Sequence, residues 1–295
     1  MRQTEAVTAE LDEARNELRA RLGRYGIWRG RPGVPVDFAV EAERLGFGSL
    51  WTGGSPQASL VAQEELLNAT ERIIIATGIV NIWTADAAEV AESFHRLEAA
   101  HPGRFLLGVG VGHPERVDAA RHPLGPVIEY LDVLESRGVP RTRLVLASLG
   151  PRMLELAGER TLGTHPYFVT PEHARYAREI LGASPLIIPE QLVAMESDPA
   201  TARALLRPGM AFYFPLTTYR SNLLRIGVPE AVLDPDNDEG IDRLAVWGTP
   251  ERIRAGLDAH LDAGADHVIA QLIVPDDRDQ ISDLRALAAA LGLNG

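Results

Sequence analysis

Ile73-Ile74-Ile75-Ala76-Thr77-Gly78-Ile79-Val80-Asn81 and, one helical pattern later, Arg104-Phe105-Leu106-Leu107-Gly108-Val109-Gly110-Val111-Gly112-His113 form the stretch that decides the fold. Both runs are apolar and rich in β-branched or aliphatic residues, as strands buried on both faces are. Between them Asp86 opens an amphipathic segment, Ala87–Ala100. A helix is the usual connection between parallel strands. Glycines crowd the carboxyl ends of both runs, where a missing Cβ lets a flat ligand approach the backbone. The unit predicts a parallel α/β sheet with its chemistry at the strand ends.

The same rhythm extends in both directions. Apolar runs at Gly23–Trp28, Gly48–Trp51, Leu144–Ser148, Thr161–Val169, Leu186–Ile188 and His267–Val274 bring the number of predicted strands to eight. Helical patterns at Val36–Leu45, Pro151–Glu159, Pro171–Leu181 and Pro250–Ala263 lie between them. Eight alternations predict one parallel α/β sheet, closed or open, within a single domain spanning 1–295. Thr170-Pro171, Asp198-Pro199 and Thr249-Pro250 read as helix starts, each with a capping oxygen before a proline whose missing N–H costs nothing there. Asp86 with Glu89 has the spacing of a capping box. Residues 1–21 read as a helical extension with Leu11, Ala14, Leu18 and Leu22 on one stripe. From about 207 to 242 the pattern breaks into a Pro-rich, aromatic stretch that includes Phe212-Tyr213-Phe214. A connection of that length predicts a functional insertion between the seventh and eighth strands.

Composition removes several chemistries. A net charge of −12 with no basic stripe argues against nucleic acid as a partner. The absence of cysteine excludes disulfides, thiolate nucleophiles and cysteine metal sites. All 29 basic residues are arginine, so Schiff-base chemistry and a P-loop lysine are excluded too. No run is long and apolar enough to span a bilayer, and the first residues lack a signal-peptide core. The expectation is a cytoplasmic protein with no membrane partner.

Gly108-Val109-Gly110-Val111-Gly112 is not a dinucleotide loop. Its third glycine comes one place early for G-x-G-x-x-G, and Pro114 and Pro123 interrupt the helix that should follow. Ser148-Leu149-Gly150-Pro151-Arg152 is a better anion site, because a strand ends, a helix begins with unpaired N–H groups, and Arg152 adds a guanidinium fork. No histidine pair has metal-ligand spacing, so no metal is expected; His95, His101 and His122 read as helix or loop residues. His113 and His165 differ because each follows a predicted strand. No G-x-S-x-G elbow is present, and Glu190, the one acid clearly at a strand end, lacks a partner for glycoside hydrolysis.

Taken in order, four stretches resemble the luciferase-like flavin and deazaflavin oxidoreductases. They are Phe47-Gly48-Ser49-Leu50-Trp51, Ala76-Thr77-Gly78-Ile79-Val80-Asn81, Gly103-Arg104-Phe105-Leu106-Leu107-Gly108-Val109-Gly110, and Gly248-Thr249-Pro250-Glu251-Arg252-Ile253 with Asp262-Ala263-Gly264-Ala265-Asp266-His267-Val268. The short unit between the third and fourth strands and the Gly-Thr-Pro-Glu helix look most like the branch using coenzyme F420.

The resemblance implies a (β/α)8 TIM barrel with an insertion near the seventh strand, and a hydride-transfer oxidoreductase acting on a small organic substrate. FMN is the alternative cofactor, giving a monooxygenase, and a non-catalytic flavin-binding or structural barrel is the third reading. It implies a flat ring held against a bulge after the third strand, with Thr77, Gly78 and Ile79 beside it and a cis peptide at Gly78-Ile79. Trp51 and Trp83 would wall the ring or substrate. His113, Asn81 and His165 would polarise or protonate the substrate. The cofactor phosphate would meet Ser148, Gly150, Pro151, Arg152 and Thr164. Relatives are often homodimers. Many carry an acid and a histidine just after the second-strand Trp, where this chain has Thr52-Gly53-Gly54-Ser55.

Overall fold

The structure is a computed structural model that describes residues 2–30, 33–113, 123–275 and 277–293, with side chains from residue 9 onward. Pro114 and His122 lie outside the described residues. Among the described residues eleven strand segments run β1 (Tyr25–Arg29), β2 (Ser49–Thr52), β3 (Ile74–Thr77), β4 (Val80–Asn81), β5 (Phe105–Gly110), β6 (Leu144–Leu146), β7 (Gly163–Thr164), β8 (Leu186–Ile187), β9 (Glu190–Ala194), β10 (Ala245–Trp247) and β11 (Val268–Leu272). Every pairing is parallel, and the ladder runs β1-β2-β3-β5-β6-β7-β8 on one side and β1-β11-β9-β10 on the other. β8 and β9 are one strand interrupted at Ile188-Pro189. Ile188 N bonds Thr164 O on one side, and Ile269 N bonds Pro189 O on the other, so the ladder closes into an eight-stranded barrel.

Alternation along the strands sorts the core. Ile27, Leu50, Ile75, Phe105 and Val268 face outward against the helices. Trp28, Trp51, Ile74, Ala76, Leu106, Val145, Leu186, Ile188 and Ile269 point into the barrel. A period of two places successive side chains on opposite faces, so the barrel is filled rather than hollow.

The helix Arg2–Leu22 seals the amino end of the barrel. Leu18 and Leu22 enter the interior cluster, and a Cβ on Gly48 would collide with the Leu22 backbone. Arg15, only 4% exposed, spends all its guanidinium donors there. Nε donates to Leu162 O at 3.1 Å, Nη2 to Gly158 O and Thr161 O at 2.6 and 2.9 Å, and Nη1 to Asp12 and Ser184 at 3.0 and 3.2 Å. Two of those carbonyls lie at the carboxyl end of the helix Pro151–Arg160, where a cation also meets the negative end of the helix dipole.

The predicted helix starts behave as caps at Asp86, Asp198 and Thr249, whose side chains accept from the first-turn N–H groups; Thr170 makes no such bond. Three readings need correction. The expected strand Thr161–Val169 is reduced to Gly163–Thr164, because Pro166 cannot donate to a ladder. The stretch expected to be irregular from 207 to 242 is largely helical, with Pro199–Ala211, Thr217–Arg225 and Asp238–Leu244 packing around Met210, Phe214, Leu223 and Ile241. β10 was not expected; its three residues pair with the upper part of β9.

The decisive stretch holds a bulge. Ala76 pairs with Leu106 and Val80 with Val109, so four steps on one strand face three on the other. Across this gap Thr77 Oγ1 donates to Gly108 O at 2.8 Å and accepts from Gly108 N at 2.9 Å, replacing the missing ladder bonds. Thr77→Val keeps the shape and leaves both Gly108 groups buried and unpaired. It is expected to cost about 2–3 kcal/mol, read from the midpoint of urea unfolding. An unchanged midpoint would mean that water or backbone movement satisfies them.

Candidate functional site

The carboxyl ends of the strands gather the polar residues of the barrel interior. At the bulge the Gly78–Ile79 peptide is cis. Trp28 Nε1, from β1, donates to Gly78 O at 3.3 Å. A Cβ built on Gly78 would lie 2.8 Å from Trp28 Nε1 and 3.1 Å from His165 Nε2, so only glycine lets the bulge approach these two rings so closely.

His165 follows β7 and is buried, and its Nδ1 lies 2.9 Å from Ile188 O. A carbonyl only accepts, so Nδ1 carries the proton and Nε2 presents a lone pair toward Gly78. Burial holds its pKa down to about 4, so the ring is neutral near neutral pH. Beneath it the Trp51 ring lies at 4.4 Å. Trp51 is fully buried; its Nε1 donates to Ser49 Oγ at 2.9 Å, and Ser49 Oγ meets His267 Nε2 at 2.7 Å. His267 Nδ1 donates to Gly23 O at 3.0 Å. This chain fixes Trp51 as the support of His165.

The other expected site residues divide into engaged and open. Asn81 is buried, and its Oδ1 accepts from Trp83 N at 3.0 Å, organising the turn after β4; Trp83 is half-buried in that turn. Thr77 is taken up by Gly108, and Ser148 and Thr164 bond each other across β6 and β7 at 2.6 Å. Ile79 is half-buried beside Gly110. Gly150, Pro151 and Arg152 are open: Gly150 is the N-cap of the helix Pro151–Arg160, no side chain caps that end, and no atom lies within 4 Å of where a Gly150 Cβ would be. His113 sits at the mouth in a nest of insertion aromatics, with ring distances of 5.2 Å to Phe212, 5.5 Å to Tyr213 and 5.9 Å to Tyr219.

Trp28, Tyr167, Glu190 and Gln271 were not singled out for this site and line the same interior. Tyr167 lies 5.5 Å from Trp28 and 5.1 Å from Tyr213, and its hydroxyl donates to Gln271 at 2.9 Å. Glu190 lies one interior position above Ile188 and directly across from Ile269. Among the described residues no group of three or more histidine, cysteine or acidic side chains is arranged to hold a metal.

The profile of the luciferase-like monooxygenase family matches residues 16–267. The chain belongs to the luciferase-like monooxygenase family. A 5,10-methylenetetrahydromethanopterin reductase from Methanolobus tindarius is 23% identical over 287 residues, covering 79% of this chain and 88% of the relative. An F420-dependent secondary alcohol dehydrogenase, solved with an F420–acetone adduct, superposes with a TM-score of 0.71 at 16% identity, covering 91% of this chain and 98% of that one. The oxygenating component of 3,6-diketocamphane monooxygenase from Pseudomonas putida, solved with FMN, gives 0.66 at 14% identity over 92% and 96%. At these identities the structures establish the shared luciferase-like fold. Among the described residues of this luciferase-like chain, no helix is long and apolar enough to cross a membrane.

Proposed function

We propose that this chain is a hydride-transfer oxidoreductase that uses coenzyme F420 on a small organic substrate. The observation that carries the reading is the Gly78 bulge, whose cis backbone meets the Trp28 indole and the His165 lone pair inside the barrel. The bulge offers backbone free of a side chain at Gly78 for a flat ring to lie against, and the open amino end at Gly150 with Arg152 beside it suits the ring's phosphate. One similar structure is an F420-dependent dehydrogenase and one relative a methylene-pterin reductase, and the deazaflavin reading draws its support from them.

When bound, the deazaflavin supplies the hydride chemistry. Trp28 braces the bulge that the ring would lie against. His165 accepts a hydrogen bond or a proton at Nε2 and cannot donate one from that atom while Nδ1 is tied to Ile188 O. The aromatic residues around His113 exclude water from the mouth. Asn81 would act through the turn it organises, and Ser148 and Thr164 through the strand ends they tie together.

The FMN reading rests on the flavin-bound camphane oxygenase among the similar structures. Absorbance titration of the purified protein with coenzyme F420 and with FMN separates the two. Tighter binding of F420 is expected, and binding of FMN alone would replace it with the monooxygenase reading. Binding of neither would leave a non-catalytic barrel. Arg152→Ala is expected to weaken F420 binding about tenfold at low salt, in keeping with about 1.5 kcal/mol for a charge-assisted phosphate contact. The difference should shrink as salt is raised.

A further inference from the structure

The barrel interior contains one carboxyl group that its surroundings do not explain. Glu190 is 1% exposed and lies on the inner face of β9. Its Oε2 accepts from Phe168 N at 3.4 Å, a long bond, and its Oε1 has no hydrogen-bond partner among the described residues. Among the described residues no guanidinium or imidazolium balances it. Its pKa is pushed up to about 8 by burial, against the small opposing pull of the Phe168 N–H. The titratable groups near it are the hydroxyls of Tyr167 and Tyr213, both held neutral by burial. A buried acid kept protonated is a proton donor in waiting.

A chain of contacts links it to the Gly78 bulge. Trp28 bonds the bulge at Gly78, Tyr167 packs on Trp28, and Tyr167 is held by Gln271, two residues along β11 from the partner of Glu190. We propose that Glu190 is the residue that exchanges a proton with the substrate, and that the substrate is a small neutral or cationic compound with a C=O or C=N bond. The proposal rests on the hydride-transfer reading above. As the substrate carbon accepts hydride from the reduced deazaflavin, a C–H bond forms and the π electron pair moves to the oxygen or nitrogen. That atom takes the Glu190 proton, leaving an alcohol or amine, an oxidised deazaflavin and a Glu190 carboxylate that solvent reprotonates. The wall of tyrosine hydroxyls, glutamine amide and neutral acid recognises neutral or cationic polar groups, and an anionic substrate would meet no cation among the described residues of that wall.

Glu190→Gln separates this role from support of the Phe168 backbone, because the amide oxygen still accepts from Phe168 N but the side chain has no proton to give. With reduced coenzyme F420, and acetone and 1-pyrroline as acceptors, wild type is expected to turn over at least one of them and the variant at least 100-fold more slowly, with its melting temperature retained. Equal rates, or no oxidation by wild type with either acceptor, would overturn the assignment. A readout independent of turnover is the carboxyl signal of carbon-13 glutamate-labelled protein. One carboxyl should titrate near pH 8, move its midpoint when F420 is added, and be missing from the variant. An ordinary midpoint, or one that cofactor does not move, would also overturn the assignment. If wild type binds neither F420 nor FMN, the cofactor reading fails with it, and the titration in the free protein shows which of the two was at fault.

Discussion

Arg15→Ala is expected to destabilise the protein by about 3–5 kcal/mol, the range for removing one partner from a buried charged network. The guanidinium meets Leu162 O, Thr161 O, Gly158 O, Asp12 and Ser184, and alanine would leave carbonyls at the end of the helix Pro151–Arg160 dry and unpaired. With about 2.1 cal/mol/K per residue of unfolding entropy, the melting temperature should fall by about 5–8 °C. Arg15→Lys should recover only part of the loss, since an ammonium cannot reach three carbonyls and two side chains at once. Arg21→Ala is the control. Arg21 bonds Gly103 O from a solvent-facing position, and its removal should change stability by less than about 1 kcal/mol. A melting temperature for Arg15→Ala equal to that of the control would show that the amino-terminal helix does not hold the floor of the barrel.

Stability should also fall steeply as pH drops from about 6.5 toward 4. Burial holds His165, His173 and His267 down to about 4 and His260 to about 3. The unfolded chain binds protons at these histidines near pH 6.5, which the folded chain refuses until far lower. Their contribution is therefore fully present above pH 6.5 and is lost as pH falls through the folded values, on the order of 3 kcal/mol for each. Glu190 runs the other way. Its folded value lies above its unfolded one, so its contribution is fully present below about pH 4.5 and is lost as pH rises toward 8. Four groups against one give an acid limb with a net slope of about three protons, a maximum near pH 6.5 and a shallower alkaline decline. Denaturant midpoints from pH 4 to 9 test this, and Glu190→Gln should flatten the alkaline side and steepen the acid limb by about one proton. A flat profile between pH 4 and 6.5 would mean that the imidazoles are hydrated.

The barrel was readable because its strands are buried on both faces, and Ile73–Ile75 or Phe105–Leu107 can be little else. The caps were readable where an Asp or Thr stands before proline or the first helical turn. Local pattern misled at Thr161–Val169, where apolar residues surround a proline, and at 207–242, where Pro208 and the aromatic run hide helices stabilised by packing among themselves. The Gly78 and Gly150 regions could be found because glycine marks close approach or an open helix end. Thr77, Ser148 and Thr164 could not be understood from sequence, since their hydroxyls bond residues on neighbouring strands. Glu190 was seen as an acid without a partner. What sequence could not supply was that it points inward, a fact fixed by its register against Ile269. Arg15 was the overlooked signal in the first helix, a charge in line with Leu11, Leu18 and Leu22.

That helix also sets an order of events during synthesis. Its contacts with Leu162 span 147 residues, and Arg19 with Asp266 spans 247. The helix leaves the ribosome long before the residues it will rest on have been translated. It must wait in water with its leucine stripe uncovered, at risk of binding elsewhere, until the eighth strand arrives. A helix made before every strand of the barrel is thus among the last elements to be secured.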